Sequence, residues 1–373
     1  MNRDDTVTTV TPTIGNVPPA TTGITVTERH KAFFLRIPKV ELHCHLLGTV
    51  RQKTFEALLD KHRAPLSRED VAGFYRRDGK PIGVLRVLRA LESHLLLEPD
   101  DFRRLTYEYL EDAARESVRH AEFFWNPTVT IRDIGLSYAE VQAAIVRGMQ
   151  DARADFAIGS LLIPAIDREA SPADANEMVR LMSANRDAAV AGIGIDYREN
   201  ERPPELFREA YRMAKAAGLR LTAHAGEFGT PWKNVATVVE ELRVDRVDHG
   251  YTVIDEPGLV QRCIDLGLVF TIVPTNSYYL RTLEAERWAL DHPIRRMVAS
   301  GLKVHPNTDD PTLHKVTPAG AWELMFSHFG YSPAELRTMM LNGIDGSWAE
   351  EGLKRTWRSQ WASEFDALAT TTF

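Results

Sequence analysis

Residues 205–249 read ELFREAYRMAKAAGLRLTAHAGEFGTPWKNVATVVEELRVDRVDH. The opening Glu205–Ala217 has apolar residues at helical spacing and stops at Gly218, where a helix commonly closes. Arg220–His224 then reads as a short strand ending on a histidine, and Arg246–His249 reads as the next one, also ending on a histidine. Strand and helix in alternation point to a parallel sheet with helices packed outside it. Working outward, further strand candidates are Lys39–His45, Ala121–Trp125, Ala157–Ile163, Val190–Ile195, Leu268–Val273 and Lys303–Pro306. Between two of them, Glu256–Leu266 carries Pro257 near its start and Gly267 just past its end, the usual helix punctuation.

Eight candidate strands are the number that closes a (β/α)8 TIM barrel, so the expected class is α/β with that architecture. An open doubly wound sheet is the alternative, and the place of the eighth strand decides between them. One irregularity is the segment Arg51–Arg119, with helical patterns at Thr54–His62, Val84–Leu97 and Phe102–Val118, read as a helical excursion after strand one. A second run of helical pattern follows strand eight, from Ala319 to Phe373. Residues 1–27 hold nine threonines with Pro12, Pro18 and Pro19, which predicts a flexible or loosely docked tail. Residues 28–373 are then a single barrel domain.

The composition excludes several classes. With 44% hydrophobic and 26% charged residues over 373 positions, the chain can bury a large core. Lys and Arg number 45 against 52 Asp and Glu, a net charge of −7, which disfavours tracking of nucleic-acid phosphates. Two cysteines, Cys44 and Cys263, cannot build a disulfide framework or a cysteine-based zinc module. No apolar run is long enough to span a bilayer, and Arg3, Asp4 and Asp5 lead into a polar stretch unlike a signal peptide. The expectation is a soluble, cytoplasmic protein acting on a small molecule, with no nucleic-acid or membrane partner; oligomeric state is not legible.

Of twelve histidines, four sit where strand candidates end. His43 and His45, in VELHCHLLG, are two apart on a strand and so face the same way, able to grip one ion. His224 closes strand five in LTAHAGE, with Glu227 three residues on; His249 closes strand six in VDHGY; Asp309 and Asp310 follow strand eight in HPNTDDP. Taken singly, each has an innocent reading: a strand-end histidine can bond a loop carbonyl, and an Asp pair before proline starts turns. In a parallel barrel, however, all strand C-termini open on one face, so these distant residues converge. His43, His45, His224 and Asp309 then supply three nitrogens and a carboxylate, a donor set suited to zinc or another borderline divalent ion. Such an ion lowers the pKa of a water from about 15.7 toward about 7. Glu227 is placed to act as general acid/base, His249 to orient or deprotonate that water, and Asp310 to accept a hydrogen bond from substrate.

PKVELHCHLLG, HAGE, RVDHGY and NTDDP, in this order, resemble the adenosine deaminase family of metal-dependent aminohydrolases, over about Arg36 to Leu341. The resemblance implies that His43, His45, His224 and Asp309 bind a catalytic zinc. It implies that Glu227 protonates purine N1, His249 positions the hydroxide, and Asp310 holds N7. Water would replace the amine at C6 of a 6-aminopurine, with release of ammonia. The cytidine-deaminase signature, Pro-Cys-x-x-Cys, is absent.

The chain departs from the family at the substrate wall. Leu47 stands where adenosine deaminases carry an acid that contacts ribose. Glu199, in Asp196-Tyr197-Arg198-Glu199-Asn200-Glu201, takes the place of the glycine whose N–H meets purine N3. Pro274-Thr275-Asn276-Ser277 replaces Pro-x-Ser-Asn, and Asp248 replaces a usual glycine. Leu47 and Glu199 are therefore expected to reshape substrate binding, and adenosine itself to be a poor substrate. The substrate expected is a 6-aminopurine base, nucleoside or modified derivative. Two other readings stay open: hydrolysis of another C–N bond in a non-purine heterocycle, and a catalytically silent barrel that binds a ligand. Trp232, Tyr278 and Tyr279 can stack on a planar ring or pack a lid, and Asn126 can touch substrate. His94, His120, His305 and His314 have no partner pattern and default to structural roles.

Overall fold

The computed structural model describes residues 17–76 and 83–373. Its eight strands are β1 Lys39–Glu41, β2 Val118–Trp125, β3 Gly159–Asp167, β4 Gly192–Asp196, β5 Arg220–Ala225, β6 Arg246–His249, β7 Val269–Ile272 and β8 Lys303–Pro306. They pair in parallel in the order β1 to β8 with no reversal, which excludes a doubly wound sheet. The ends of the sheet meet. Asp309 N–H donates to the His43 carbonyl at 3.0 Å, and His45 N–H donates to the Asp309 carbonyl at 2.9 Å. The fold is a (β/α)8 barrel.

All eight expected strands are present with several shifted boundaries: β2 begins at Val118 rather than Ala121, β3 runs on to Asp167 rather than Ile163, and β4 spans Gly192–Asp196 rather than Val190–Ile195. β1 stops at Glu41 rather than His45, because Leu42 N–H donates to the Asn307 side chain (2.9 Å) instead of a neighbouring backbone. β3 starts at Gly159, since Ala157 turns left-handed (φ 57°) to end the preceding helix, Tyr138–Phe156. The expected helix from Glu205 is a short turn, Pro204–Phe207, continued by the helix Arg208–Ala216.

The excursion after β1 contains the helices Gln52–His62, Arg68–Tyr75, Val84–His94 and Pro99–Arg115. After β8 come Pro318–Ser327, Pro333–Gly346 and Glu351–Thr372. Residues 1–16 of the expected tail lie outside the described residues; Val17 and Ile24 pack on the core. Among the described residues no helix is long and apolar enough to cross a membrane.

The barrel interior is layered, as strand register requires. In the lower layer Thr222 pairs with Arg246, whose fully buried guanidinium meets the Glu122 carboxylate and the Leu42 carbonyl. In the layer above, His224 is in register with Asp248, and Asp248 with Thr271. That upper layer is the floor of the open end.

Candidate active site

At the C-terminal ends of the strands lies a cavity of about 760 Å³, whose walls include His45, His224, Glu227, His249, Asp309 and Asp310. Three histidines each turn Nδ1 toward an oxygen. His43 Nδ1 lies 3.1 Å from the Thr271 carbonyl; His45 Nδ1 lies 3.1 Å from Asp196; His224 Nδ1 lies 3.4 Å from Asp248. An Nδ1–H held by an oxygen leaves Nε2 as a bare lone pair, the arrangement that presents imidazole to a metal.

The Nε2 atoms converge. His45 Nε2 is 3.2 Å from His224 Nε2 and 3.2 Å from Asp309 Oδ1, while His43 Nε2 is 3.5 Å from Asp309 Oδ1 and has no hydrogen-bond partner. Two lone pairs 3.2 Å apart repel each other unless a proton or cation sits between them. With metal–nitrogen bonds of about 2.0–2.1 Å, ligand atoms of one ion are separated by this sort of distance. All four donor atoms lie within 4.8 Å of one another, and all four residues are buried. The donor set therefore fits one divalent ion.

Beside it stand two proton-carrying groups. His249 Nε2 lies 3.6 Å from Glu227 Oε2 and, among the described residues, has no hydrogen-bond partner of its own. Its Nδ1 faces the Tyr251 hydroxyl at 3.4 Å, and that hydroxyl donates to the Val273 carbonyl at 3.0 Å. Burial, with His43 and His224 alongside, holds the His249 pKa well below the usual histidine range, which favours the neutral imidazole. Burial first, then the charges of Asp309 and Glu199, push Glu227 well above the usual carboxylate range. A proton on that carboxyl makes it an acid, and Asn276 Nδ2–H donates to its Oε1 at 3.1 Å.

The backbone is bent to aim these groups. Tyr197, His249 and Asp309 have φ of 65°, 64° and 65°, directly after β4, at the end of β6, and after β8. Left-handed backbone costs a non-glycine residue about 1–2 kcal/mol, and such residues gather where function holds them. Gly48 is needed for space: a Cβ there would sit inside the Asp310 carboxylate.

The adenosine deaminase family model matches residues 38–363. The chain belongs to the adenosine deaminase family. Among solved structures in its range, it is 62% identical to an amidohydrolase from Burkholderia ambifaria with bound zinc, with a TM-score of 0.95, covering 97% of this chain and 99% of that one. It is 29% identical to adenine deaminase from Arthrobacter aurescens, with a TM-score of 0.81, covering 89% of this chain and 99% of that one. Adenine deaminase from Ralstonia nicotianae is 32% identical over 330 residues, 86% of this chain and 92% of that protein.

For this family member the structure brings His43, His45, His224 and Asp309 together, with Glu227, His249 and Asp310 beside them. Two residues expected on the substrate wall are elsewhere. Glu199 lies behind the wall, buried, because its carboxylate is consumed by two backbone N–H groups and a side-chain amide: it accepts from Gly226 N–H (3.0 Å), Glu227 N–H (3.1 Å) and Asn234 Nδ2–H (2.7 Å). Leu47 is buried in the turn Leu46–Thr49 and does not line the cavity. Tyr278 and Asn126 line it, whereas Tyr279 is packed against Tyr251 and His292. His120 pairs with Glu122 and His305 faces two carbonyls, both structural, but His314 lines the cavity.

The sequence reading missed the residues that orient the donors. Asp248 accepts from Thr222 Oγ1 (2.8 Å) and Thr271 Oγ1 (2.7 Å) while facing His224; His224 and neighbouring charges hold its pKa well below the usual range against the opposing effect of burial. Asp196 accepts from Asn126 Nδ2–H at 2.6 Å while facing His45. Buried Arg168 donates to the His224 and Asp196 carbonyls, tying the ends of β5 and β4. Strand alternation could have flagged Asp248, which shares a face with Arg246 inside the barrel.

Proposed function

We propose that this protein is a zinc-dependent aminohydrolase that replaces the exocyclic amine of a 6-aminopurine by oxygen, releasing ammonia, with adenine as its simplest substrate. The observation that carries this reading is the convergence of three imidazoles and Asp309 on one point, with Glu227 Oε2 and His249 Nε2 beside them 3.6 Å apart. The zinc seen in the 62%-identical amidohydrolase and the adenine deaminase activity named for relatives near 30% identity support it.

His43, His45, His224 and Asp309 hold the ion. When bound there, zinc supplies Lewis acidity that makes hydroxide available near neutral pH. Glu227 delivers its proton to ring N1, so that the carbon bearing the amine becomes the electrophile. His249 takes a proton from the attacking water at Nε2, and protons leave with the amine as ammonia. Asp310, buried at the cavity wall, fixes the other edge of the ring through an acceptor oxygen. A neutral base and a neutral acid 3.6 Å apart are opposite poles of one proton circuit.

Zinc-loaded protein is expected to release ammonia from adenine, with the matching ultraviolet change, and far more slowly from adenosine. Glu227→Gln, which keeps shape and loses the proton, is expected to lower kcat at least ~10²-fold with zinc content intact. No ammonia from adenine or any other 6-aminopurine, at full zinc occupancy, would overturn the reading.

A further inference from the structure

The cavity is larger than its chemistry needs. Pockets of about 300–1,000 Å³ hold drug-sized molecules, whereas a purine base has ten heavy atoms, and this cavity measures about 760 Å³. Its walls also carry three arginines from three separate segments: Arg86 in the first turn of the helix Val84–His94, Arg198 in the loop after β4, and Arg281 in the short helix Ser277–Thr282. Among the described residues, none of the three has a carboxylate within 4 Å. Arg281 spends only its Nε, on the Ser277 carbonyl at 2.9 Å.

Of the four carboxylates in the same cavity, Asp196 faces His45, Asp309 belongs to the donor set, Glu227 is held by Asn276 beside His249, and Asp310 stands next to Asp309. Among the described residues, the three guanidiniums thus line the cavity without an ion pair of their own, in a chain whose net charge is −7. A concave site of one sign focuses its field on an incoming ion of the other. Guanidinium forks match the planar oxygens of phosphate and carboxylate.

We infer that the preferred substrate is a 6-aminopurine bearing an anionic substituent, phosphate or carboxylate, gripped by Arg86, Arg198 and Arg281. This rests on the deaminase reading of the same site and names its substrate class. The purine ring meets the zinc centre and the anion reaches the rim.

The test compares matched pairs on zinc-loaded full-length protein: adenosine against adenosine 5′-phosphate, and N6-ethyladenine against N6-carboxymethyladenine. Equilibrium binding of the reaction products (inosine against its 5′-phosphate, hypoxanthine as reference) is measured alongside turnover. The expectation is that at least one anionic member exceeds its neutral twin tenfold or more in kcat/KM or in affinity, and the winning pair identifies phosphate or carboxylate as the source. That ratio falls to near one in the Arg86→Gln, Arg198→Gln, Arg281→Gln triple variant and shrinks as salt is raised. Ratios near one in both pairs, or ratios unmoved by the triple variant, overturn the inference. Ammonia from adenine with no anion preference would sink the inference and leave the deaminase reading standing. Anion-dependent product binding without any ammonia release would do the reverse.

Discussion

Glu199→Gln tests how the catalytic acid is held. The wild-type carboxylate accepts three N–H bonds, one of them from the Glu227 backbone itself at 3.1 Å. Glutamine offers one acceptor oxygen and one NH2. If the oxygen keeps Gly226 and Asn234, the NH2 points at Glu227 N–H, donor against donor. One bond to a charged group, worth about 1.5–3 kcal/mol, is lost, and a buried N–H is left unpaired at a further cost of about 1–3 kcal/mol. Relaxation swings Glu227 away from the ring, and a displacement near 1 Å costs about 10²-fold in rate. Expected, then, is a kcat for adenine reduced roughly 30- to 100-fold with KM within about threefold, since Glu199 does not touch the cavity. Thermal melting should fall by several degrees and zinc content stay at one per chain. Steady-state kinetics, metal analysis and a melting curve on one preparation suffice. A kcat within twofold of wild type would refute the reasoning, because it would mean that the acid's position does not depend on this carboxylate.

Asp248→Asn leaves His224 without its anionic partner and turns an amide NH2 toward one of two threonine hydroxyls; zinc affinity by chelator competition is expected to weaken about 10- to 100-fold. Glu41 is fully buried and burial pushes its carboxyl up to about 8, with Thr308 N–H donating to it at 3.0 Å. Its folded pKa is above its unfolded value, so its contribution to stability is complete below about 4.5 and is lost as pH rises toward 8. Glu41→Gln should flatten the stability–pH curve across that window by up to roughly 1.4 kcal/mol per pH unit; an unchanged slope in denaturant titrations refutes it. Stripping the metal should abolish deamination, and re-adding zinc should restore it. The stripped protein should also melt lower, with faster hydrogen exchange at His45 and Asp309 amides than at β5; equal exchange in both states counts against coupling of the ion to the barrel seam.

The strands were legible because each is a short run rich in apolar residues set between helical patterns, and eight such runs admit few arrangements. The donors were legible for a related reason: His43, His45, His224 and Asp309 each lie at or just beyond a strand end, and one rule places all such ends on a single face. Orientation was not legible. Asp248 faces His224 only through the register of β5 with β6, and Asp196 reaches His45 across the mouth of the barrel. Glu199 was read as a substrate contact because it replaces a glycine, but two of its three partners are backbone N–H groups of a loop 27 and 28 positions away, the third being the Asn234 amide. Backbone donors leave no mark in a sequence.

Barrel closure and site assembly use the same residues. The seam between β1 and β8 is made by backbone bonds from Asp309 to His43 and from His45 to Asp309, and the side chains of those three residues are donors to one point. A chain that fails to close the cylinder therefore has no site, and a closed cylinder without a cation leaves the Nε2 atoms of His45 and His224 facing each other at 3.2 Å. Only a proton or a metal relieves that contact. A proton would spend a lone pair that the Asp196 and Asp248 carboxylates, on the opposite ring nitrogens, have freed for coordination. The divalent ion is thus the partner toward which the polar interior of this barrel, from Thr222 and Thr271 up through Asp248 to His224, is oriented.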